Sequence, residues 1–178
     1  MAGRKRSADE GVERLALDWL ARRPLTAAEL GRRLAAAGHA PAVVHAACRR
    51  LAAAGLLDDR ELARHYVVAR AERLGHGPRR LVGELVRRGV PQSVARAAWR
   101  AAVEDGDLDL DQLLQRQIRR RLGARGGRLD RSGYARVYTA LLRAGFPAAA
   151  AVVALRPHRP PDADDEPQPV EVDHDDLA

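Results

Sequence analysis

Three segments of the chain repeat one nine-residue pattern, and this repeat constrains the fold more than any other feature. They read LGRRLAAAG (30–38), LVGELVRRG (81–89) and VYTALLRAG (137–145). Each starts with an apolar residue, has a leucine four residues later and a glycine four after that, and proline follows within three residues. The order is typical of a short helix that ends at a left-handed glycine before proline begins the next helix.

The offsets between the repeats are 51 and 56 residues, which leaves room for three helices in each unit. Alanine and leucine favour helices, aromatic residues make up only 3% of the chain, and alternating β-branched runs are absent. We therefore predict an all-α fold: three tandem three-helix repeats that share apolar faces and form an elongated, curved helical protein. The predicted helices span 12–22, 27–37, 41–54, 59–74, 78–88, 91–103, 110–122, 131–144 and 147–155.

The predicted repeats divide the chain into unit one (12–57), unit two (58–106) and unit three (107–156). We expect disorder before them (1–11) and in the Pro-rich, acidic tail after them (157–178). The tail has eight acids and one arginine, whereas the residues before it have 30 basic and 16 acidic side chains, so a −7 tail follows a +14 body. Such a body attracts polyanions. The tail either folds back over it or is a solubilising appendage.

The sequence offers no sign of export or membrane insertion. Cys48 is the only cysteine, so an internal disulfide is excluded, and the start of the chain lacks a charged and then apolar signal. The longest apolar run, AAAAVVAL, is too short to cross a bilayer. We expect a cytoplasmic monomer.

Two adjacent carboxylates in the stretch GLLDDRELARHYVVAR could belong to a catalytic or metal site. Local helix chemistry explains them instead. With Asp58 at the N-cap, Glu61 occupies N3 and completes a capping box, while Leu57 and Leu62 take the two positions of a hydrophobic staple. Asp59 at N1 then lies at the positive end of the helix dipole.

The same construction recurs in LTAAEL, where Thr26 is the predicted cap and Glu29 the N3 residue. Leu25 and Leu30 form the corresponding staple. Since capping accounts for the carboxylates, and no serine or cysteine has a recognisable base beside it, we predict a protein that is not an enzyme.

Two further groups of residues resemble metal sites and fail on spacing. EDGDLDLD begins like a calcium loop, but Leu110 takes the position of the required glycine and Arg116 that of the closing glutamate. We predict an acidic linker that caps the next helix. His45 and Cys48, one turn apart with His39 nearby, lack the second cysteine or paired histidines that a zinc site needs. We predict neither a metal nor another cofactor.

Arginines concentrate in two places. On the second helix of unit two they are Arg79, Arg80, Arg87 and Arg88. On the first helix of unit three and the loop after it they are Arg116, Arg119, Arg120, Arg121, Arg125 and Arg128. A solvated helix face is one explanation. Against it, no acidic residue lies between 115 and 128 to relieve the repulsion, and the arginine fork suits phosphate and carboxylate groups.

The stretch GLLDDRELARHYVVAR, followed by GPRRLVGELVRRGV, resembles the central signature of RecX proteins, bacterial regulators of the RecA recombinase. The positions that match are Gly55, Asp58, Asp59, Ala63, Tyr66, Arg70, Gly77, Arg80, Leu81, Glu84, Leu85 and Gly89. Leu62 departs from the pattern, because a phenylalanine is usual there, and this apolar exchange should preserve the packing. We assign these positions to capping and packing. The resemblance covers about 12–155 and is strongest over 51–90.

The resemblance implies tandem three-helix units and a partner, the RecA–DNA filament. It implies a protein that lies in the filament groove and restrains ATP hydrolysis, strand exchange and co-protease activity, and so regulates DNA repair. The arginine groups would face the filament or single- or double-stranded DNA.

One alternative is a DNA-binding transcription regulator with a winged helix-turn-helix. The residues from LTAAEL to GLL fit such a motif, with 42–51 as the recognition helix. A wing would require two short strands after Leu57. The sequence instead begins a capped helix there, and the unit repeats.

Overall fold

The computed structural model of this chain describes residues 2–123 and 128–160, with side chains from residue 11 onward. Within these residues the secondary structure comprises nine α-helices and a short 3₁₀ turn at Arg156–His158, without any strand. The helices are α1 (Ala2–Arg22), α2 (Ala27–Ala36), α3 (Pro41–Ala53), α4 (Asp59–Leu74), α5 (Pro78–Arg88), α6 (Gln92–Glu104), α7 (Leu110–Leu122), α8 (Arg131–Arg143) and α9 (Ala148–Leu155). The all-α prediction is confirmed, and every helix from α2 to α9 lies within one residue of its predicted bounds.

The two ends of the chain differ from the prediction. The sequence predicts disorder over 1–11, whereas α1 begins at Ala2. Six of the nine residues from 2 to 10 are Ala, Arg, Lys or Glu, which favour a helix, and proline is absent there. The predicted disordered tail begins at residue 157, but Arg156–His158 form a 3₁₀ turn and Pro160 is buried. The rest of the tail, 161–178, lies outside the described residues.

The repeated glycines end the second helix of each unit with φ of +88°, +95° and +93°, at Gly38, Gly89 and Gly145. This confirms the left-handed helix ends predicted from the repeat. The prolines are placed less uniformly than predicted. Pro41 is the first residue of α3, as expected, but Pro91 and Pro147 are the N-cap residues of α6 and α9. Their extended ψ of 139° and 141° suits a residue that precedes a helix.

The apolar residues form two separate cores. One belongs to unit one and reaches from Val12 to Leu57. The other is shared by units two and three and includes Ala63, Leu81, Leu85, Leu113, Ile118, Leu141 and Leu155. The predicted sharing of apolar faces therefore holds between units two and three, while unit one keeps a core of its own.

The second helices of the three units meet end to end. At the first joint, the N-terminal end of α2 contacts the C-terminal end of α5. The Thr26 hydroxyl donates to the Arg88 carbonyl at 2.8 Å, and a Cβ on Gly89 would overlap the Cβ of Ala28. A side-chain donor at a helix start thus satisfies a carbonyl at a helix end.

The second joint repeats this arrangement between the N-terminal end of α5 and the C-terminal end of α8. The Gly77 N–H donates to the Ala144 carbonyl at 2.7 Å, and the Arg79 N–H donates to the Gly145 carbonyl at 3.0 Å. A Cβ on Gly145 would lie 2.5 Å from the backbone nitrogen of Arg80. Opposite ends of the helix dipoles meet at this joint, and only glycine permits the close approach.

The chain after Leu57 does not form a wing. α4 begins at Asp59, only two residues later, and the described residues contain no strand. The helix-turn-helix alternative therefore lacks the element that would make it winged.

Candidate functional site

The paired aspartates act on backbone N–H groups. Asp58 Oδ1 accepts from two amides in the first turn of α4, at 2.8 and 3.1 Å, so the capping prediction is confirmed. The predicted box is only half formed, because the Glu61 carboxylate lies 2.9 Å from the His65 ring instead. The box is complete at α2, where Thr26 accepts from the Glu29 amide at 3.0 Å and Glu29 accepts from the Thr26 amide at 3.1 Å.

Asp59 has a role that the sequence did not reveal. Its Oδ1 accepts from the Ala27 amide at 2.8 Å, so a residue of unit two caps the first helical residue of α2 in unit one. Beside it, Arg88 donates to both carboxylate oxygens of Glu29, at 2.9 and 3.0 Å. The Arg88 hydrogen bond is the main reason that the pKa of Glu29 lies below its ordinary value. The first joint is therefore polar and partly charged.

Tyr66 connects α4 to α5. Its hydroxyl donates to Glu84 at 2.8 Å, and Arg80 Nε donates to the other carboxylate oxygen at 3.0 Å. The guanidinium groups of Arg70 and Arg88 each lie 5.2 Å from the centre of the Tyr66 ring, within range of a cation–π interaction. Burial is the main cause that raises the pKa of Tyr66. Burial opposes ionisation of Glu84, but the hydrogen bonds from Tyr66 and Arg80 outweigh it, so its pKa is lowered.

The remaining motif positions also build the fold. Ala63, Leu81 and Leu85 are fully buried in the shared core, and Leu62 is half-buried against it. Gly77 and Gly89 lie at the two joints, and Gly55, with φ of +70°, follows the end of α3. The motif residues therefore cap helices, fill the core and connect the units.

The four arginines of α5 divide into two pairs. Arg80 and Arg88 are held by Glu84 and Glu29, so Arg88 belongs to the first joint rather than to an outward face. Arg88 lies seven residues after Leu81 and three residues after Leu85, so the helical repeat places it on the same side of α5 as these core leucines. Its position was therefore predictable from the sequence. Arg79 and Arg87 are exposed. In the described part of the chain, neither of them has an ion-pair partner.

The arginines of unit three also separate. Arg116, Arg119 and Arg120 are exposed on α7. Arg121 is also exposed, but its guanidinium donates to the backbone carbonyl of buried Gln117 at 3.0 Å and to the side-chain oxygen of the same residue, and partial burial lowers its pKa. Arg128 is exposed, whereas Arg125 lies outside the described residues. We refer to Arg116, Arg119, Arg120 and Arg128 as the α7 arginine face.

A groove of about 740 Å³ runs along the first joint. Leu20, Leu56 and Leu62 contribute apolar surface to it, and Arg23 and Arg70 contribute positive charge. Leu56 is 54% exposed. Asp58 and Glu61 also line it, so the groove is of mixed charge.

The acidic stretch before α7 is engaged in structural contacts. Asp107 pairs with Arg64 at 2.6 Å, and Asp105 pairs with the same guanidinium. Asp109 caps α7 by accepting from the Gln112 amide at 2.9 Å, as the linker interpretation predicted. Among the residues with described side chains, no group of three His, Cys, Asp or Glu is placed to hold a metal ion. None of the described helices is long and apolar enough to cross a membrane.

Comparison with known proteins identifies the family. Sequence models of the first and second three-helix domains of RecX match residues 14–51 and 58–98. The regulatory protein RecX of Halorhodospira halophila is 39% identical over 142 residues, which are 80% of this chain and 84% of that protein. The chain belongs to the RecX family. The RecX of Mycobacterium avium is 35% identical over 115 residues, or 64% of this chain and 66% of that protein.

Solved RecX structures share the fold. RecX from Lactobacillus salivarius superposes with a TM-score of 0.68 at 17% identity, over 83% of this chain and 94% of that one. A second RecX structure gives a TM-score of 0.67 at 18% identity, over 82% of this chain and 70% of that one. The two matched RecX domains lie within units one and two, and the tandem three-helix organisation is confirmed.

Proposed function

We propose that this RecX protein binds the RecA nucleoprotein filament in the cytoplasm and mainly inhibits its ATPase, strand-exchange and co-protease activities. It would thereby regulate homologous recombination and the SOS response. The observation that carries the proposal is a RecX-type series of end-to-end units that presents exposed arginines on successive units, Arg79 and Arg87 on α5 and the α7 arginine face.

The chemistry of these side chains suits such a partner. Arginine binds both carboxylate and phosphate, so one surface can contact the protein and the DNA of a filament. Because the units follow one another in a series, their arginines can contact several filament subunits or phosphates at once. The polar joints keep the spacing between units defined.

The test measures the rate of DNA-dependent ATP hydrolysis by RecA while this protein is added as a monomer in increasing amounts. Inhibition should be complete at concentrations comparable to filament-bound RecA. The double reversal Arg79→Glu with Arg87→Glu should weaken inhibition by about tenfold, or ~1.4 kcal/mol.

The matched control reverses Arg14 and Arg49, which are also exposed but lie on unit one. It changes the net charge by the same amount, and inhibition should stay near that of the wild type. No effect of the wild-type protein on RecA, together with selection of one short duplex from a random pool, would instead favour a transcription regulator.

A further inference from the structure

The acidic tail leaves the described fold beside arginines of unit three. The Leu129 N–H donates to the His158 carbonyl at 3.1 Å, which fixes the end of the described chain against the loop before α8. Pro160 is buried, and Arg128, next to Leu129, is exposed. The described chain thus ends two residues after a contact made beside Arg128.

The charges on the two sides are complementary. Residues 161–178 contain eight acids and no lysine or arginine. Within the described part of the chain, the α7 arginine face has no ion-pair partner closer than 4.0 Å. The described chain therefore ends near one member of this face, Arg128, and the residues after it carry the opposite charge to all four members.

The tail is long enough to cover this surface. The thirteen residues of α7 make a helix about 20 Å long. Gly123 and Arg128 are five residues apart, so they are at most about 18 Å from each other. The eighteen residues after Pro160 can extend to about 60 Å. The helix α9, which leads into the tail, also packs against α7.

We propose that residues 161–178 bind the α7 arginine face of their own chain and compete there with external polyanions. The tail is then an internal competitor for the surface that would otherwise bind phosphate or carboxylate groups. A segment tethered beside its site has an effective concentration on the order of 1 mM. If the tail binds the site with an intrinsic Kd of ~0.1 mM, the apparent affinity of an external ligand for that site falls by about tenfold. The proposal does not depend on RecA being the partner.

The experiment uses the full chain and a labelled synthetic peptide of residues 161–178 as the probe. A neutral-tail variant carries Asn or Gln at all eight acidic positions of the tail. Fluorescence anisotropy at low salt should show peptide binding to this variant, and binding about tenfold weaker to the wild type, whose own tail occupies the site. Raised salt should weaken both, because the contacts are ionic.

Substitutions of the α7 and α5 arginines in the neutral-tail variant locate the site. Arg116→Glu, Arg119→Glu and Arg120→Glu together should abolish peptide binding, and Arg→Gln at the same positions should reduce it, with folding checked by circular dichroism. The control, Arg79→Glu with Arg87→Glu on α5, should retain most of the binding.

Three results would overturn the proposal. One is no peptide binding to the neutral-tail chain, and another is equal affinity for the neutral-tail and wild-type chains. The third is loss of binding on reversal of the α5 arginines while reversal of the α7 arginines has no effect. The first two would instead support a solubilising appendage.

Discussion

The three repeated glycines allow the contribution of the joints to be measured, because they share a backbone conformation and differ in their neighbours. Gly38, Gly89 and Gly145 have φ between +88° and +95°. A Cβ at Gly38 would meet no atom within 4 Å, whereas one at Gly89 would overlap Ala28 and one at Gly145 would lie 2.5 Å from the Arg80 backbone. The perturbation is Gly→Ala at each position in turn.

The expected costs follow from this difference. A left-handed backbone costs a non-glycine residue about 1–2 kcal/mol. Gly38→Ala should cost only that amount, since its Cβ points into open space. Overpacking adds about 1–3 kcal/mol, so Gly89→Ala and Gly145→Ala should each cost about 2–5 kcal/mol.

Urea unfolding followed by circular dichroism measures these free energies. Amide hydrogen exchange then locates the damage, because the Gly77 and Arg79 amides are bonded only across the second joint. Gly145→Ala should speed their exchange, and Gly38→Ala should not. Equal costs for all three substitutions would refute the reasoning, since the joints would then contribute no specific packing.

Two further predictions concern the caps and the ion pair of the first joint. Asp58→Asn should leave stability near that of the wild type, while Asp58→Ala should cost about 0.5–2 kcal/mol in urea unfolding. A loss of regulatory activity in the stable Asn variant would contradict a purely structural role. Since Arg88 lowers the pKa of Glu29 below its ordinary 4.5, the stability from this pair is present above pH 4.5 and lost as pH falls through the folded-state pKa. The urea midpoint of Glu29→Gln should therefore fall less on acidification than that of the wild type, and parallel curves would argue against the pair.

Local chemistry made most of the fold predictable. Local signals predict where helices begin and end: periodic leucines, the glycines after them, and caps such as Thr26 and Asp58. The spacing of the repeat predicts how many helices form a unit. These signals act over a few residues, so a single sequence contains them in full. The helix before Gly11 was missed because polar, charged residues were read as disorder, although most of them favour a helix.

The joints were not predictable, because they depend on contacts between distant residues. Asp59 reaches Ala27, 32 positions earlier, and Arg88 reaches Glu29, 59 positions earlier. The residues around Asp59 do not show whether its carboxylate only favours the dipole of its own helix or also caps a helix of another unit. The separate core of unit one was missed for the same reason, since each unit taken alone shows a similar apolar pattern.

Unit two contains most of the positions that match the RecX motif, and it contacts both of the other units. Its second helix, α5, is the one that has both ends in joints: Arg88 and Gly89 meet α2, and Gly77 and Arg79 meet α8. By contrast, a Cβ on Gly38, at the end of α2, would meet open space. A residue at a joint must fit the backbone of its own helix and also pack against a neighbouring unit. Fewer side chains are therefore acceptable there than at a free helix end. Several motif positions, among them Asp59, Gly77 and Gly89, therefore connect the units of this chain.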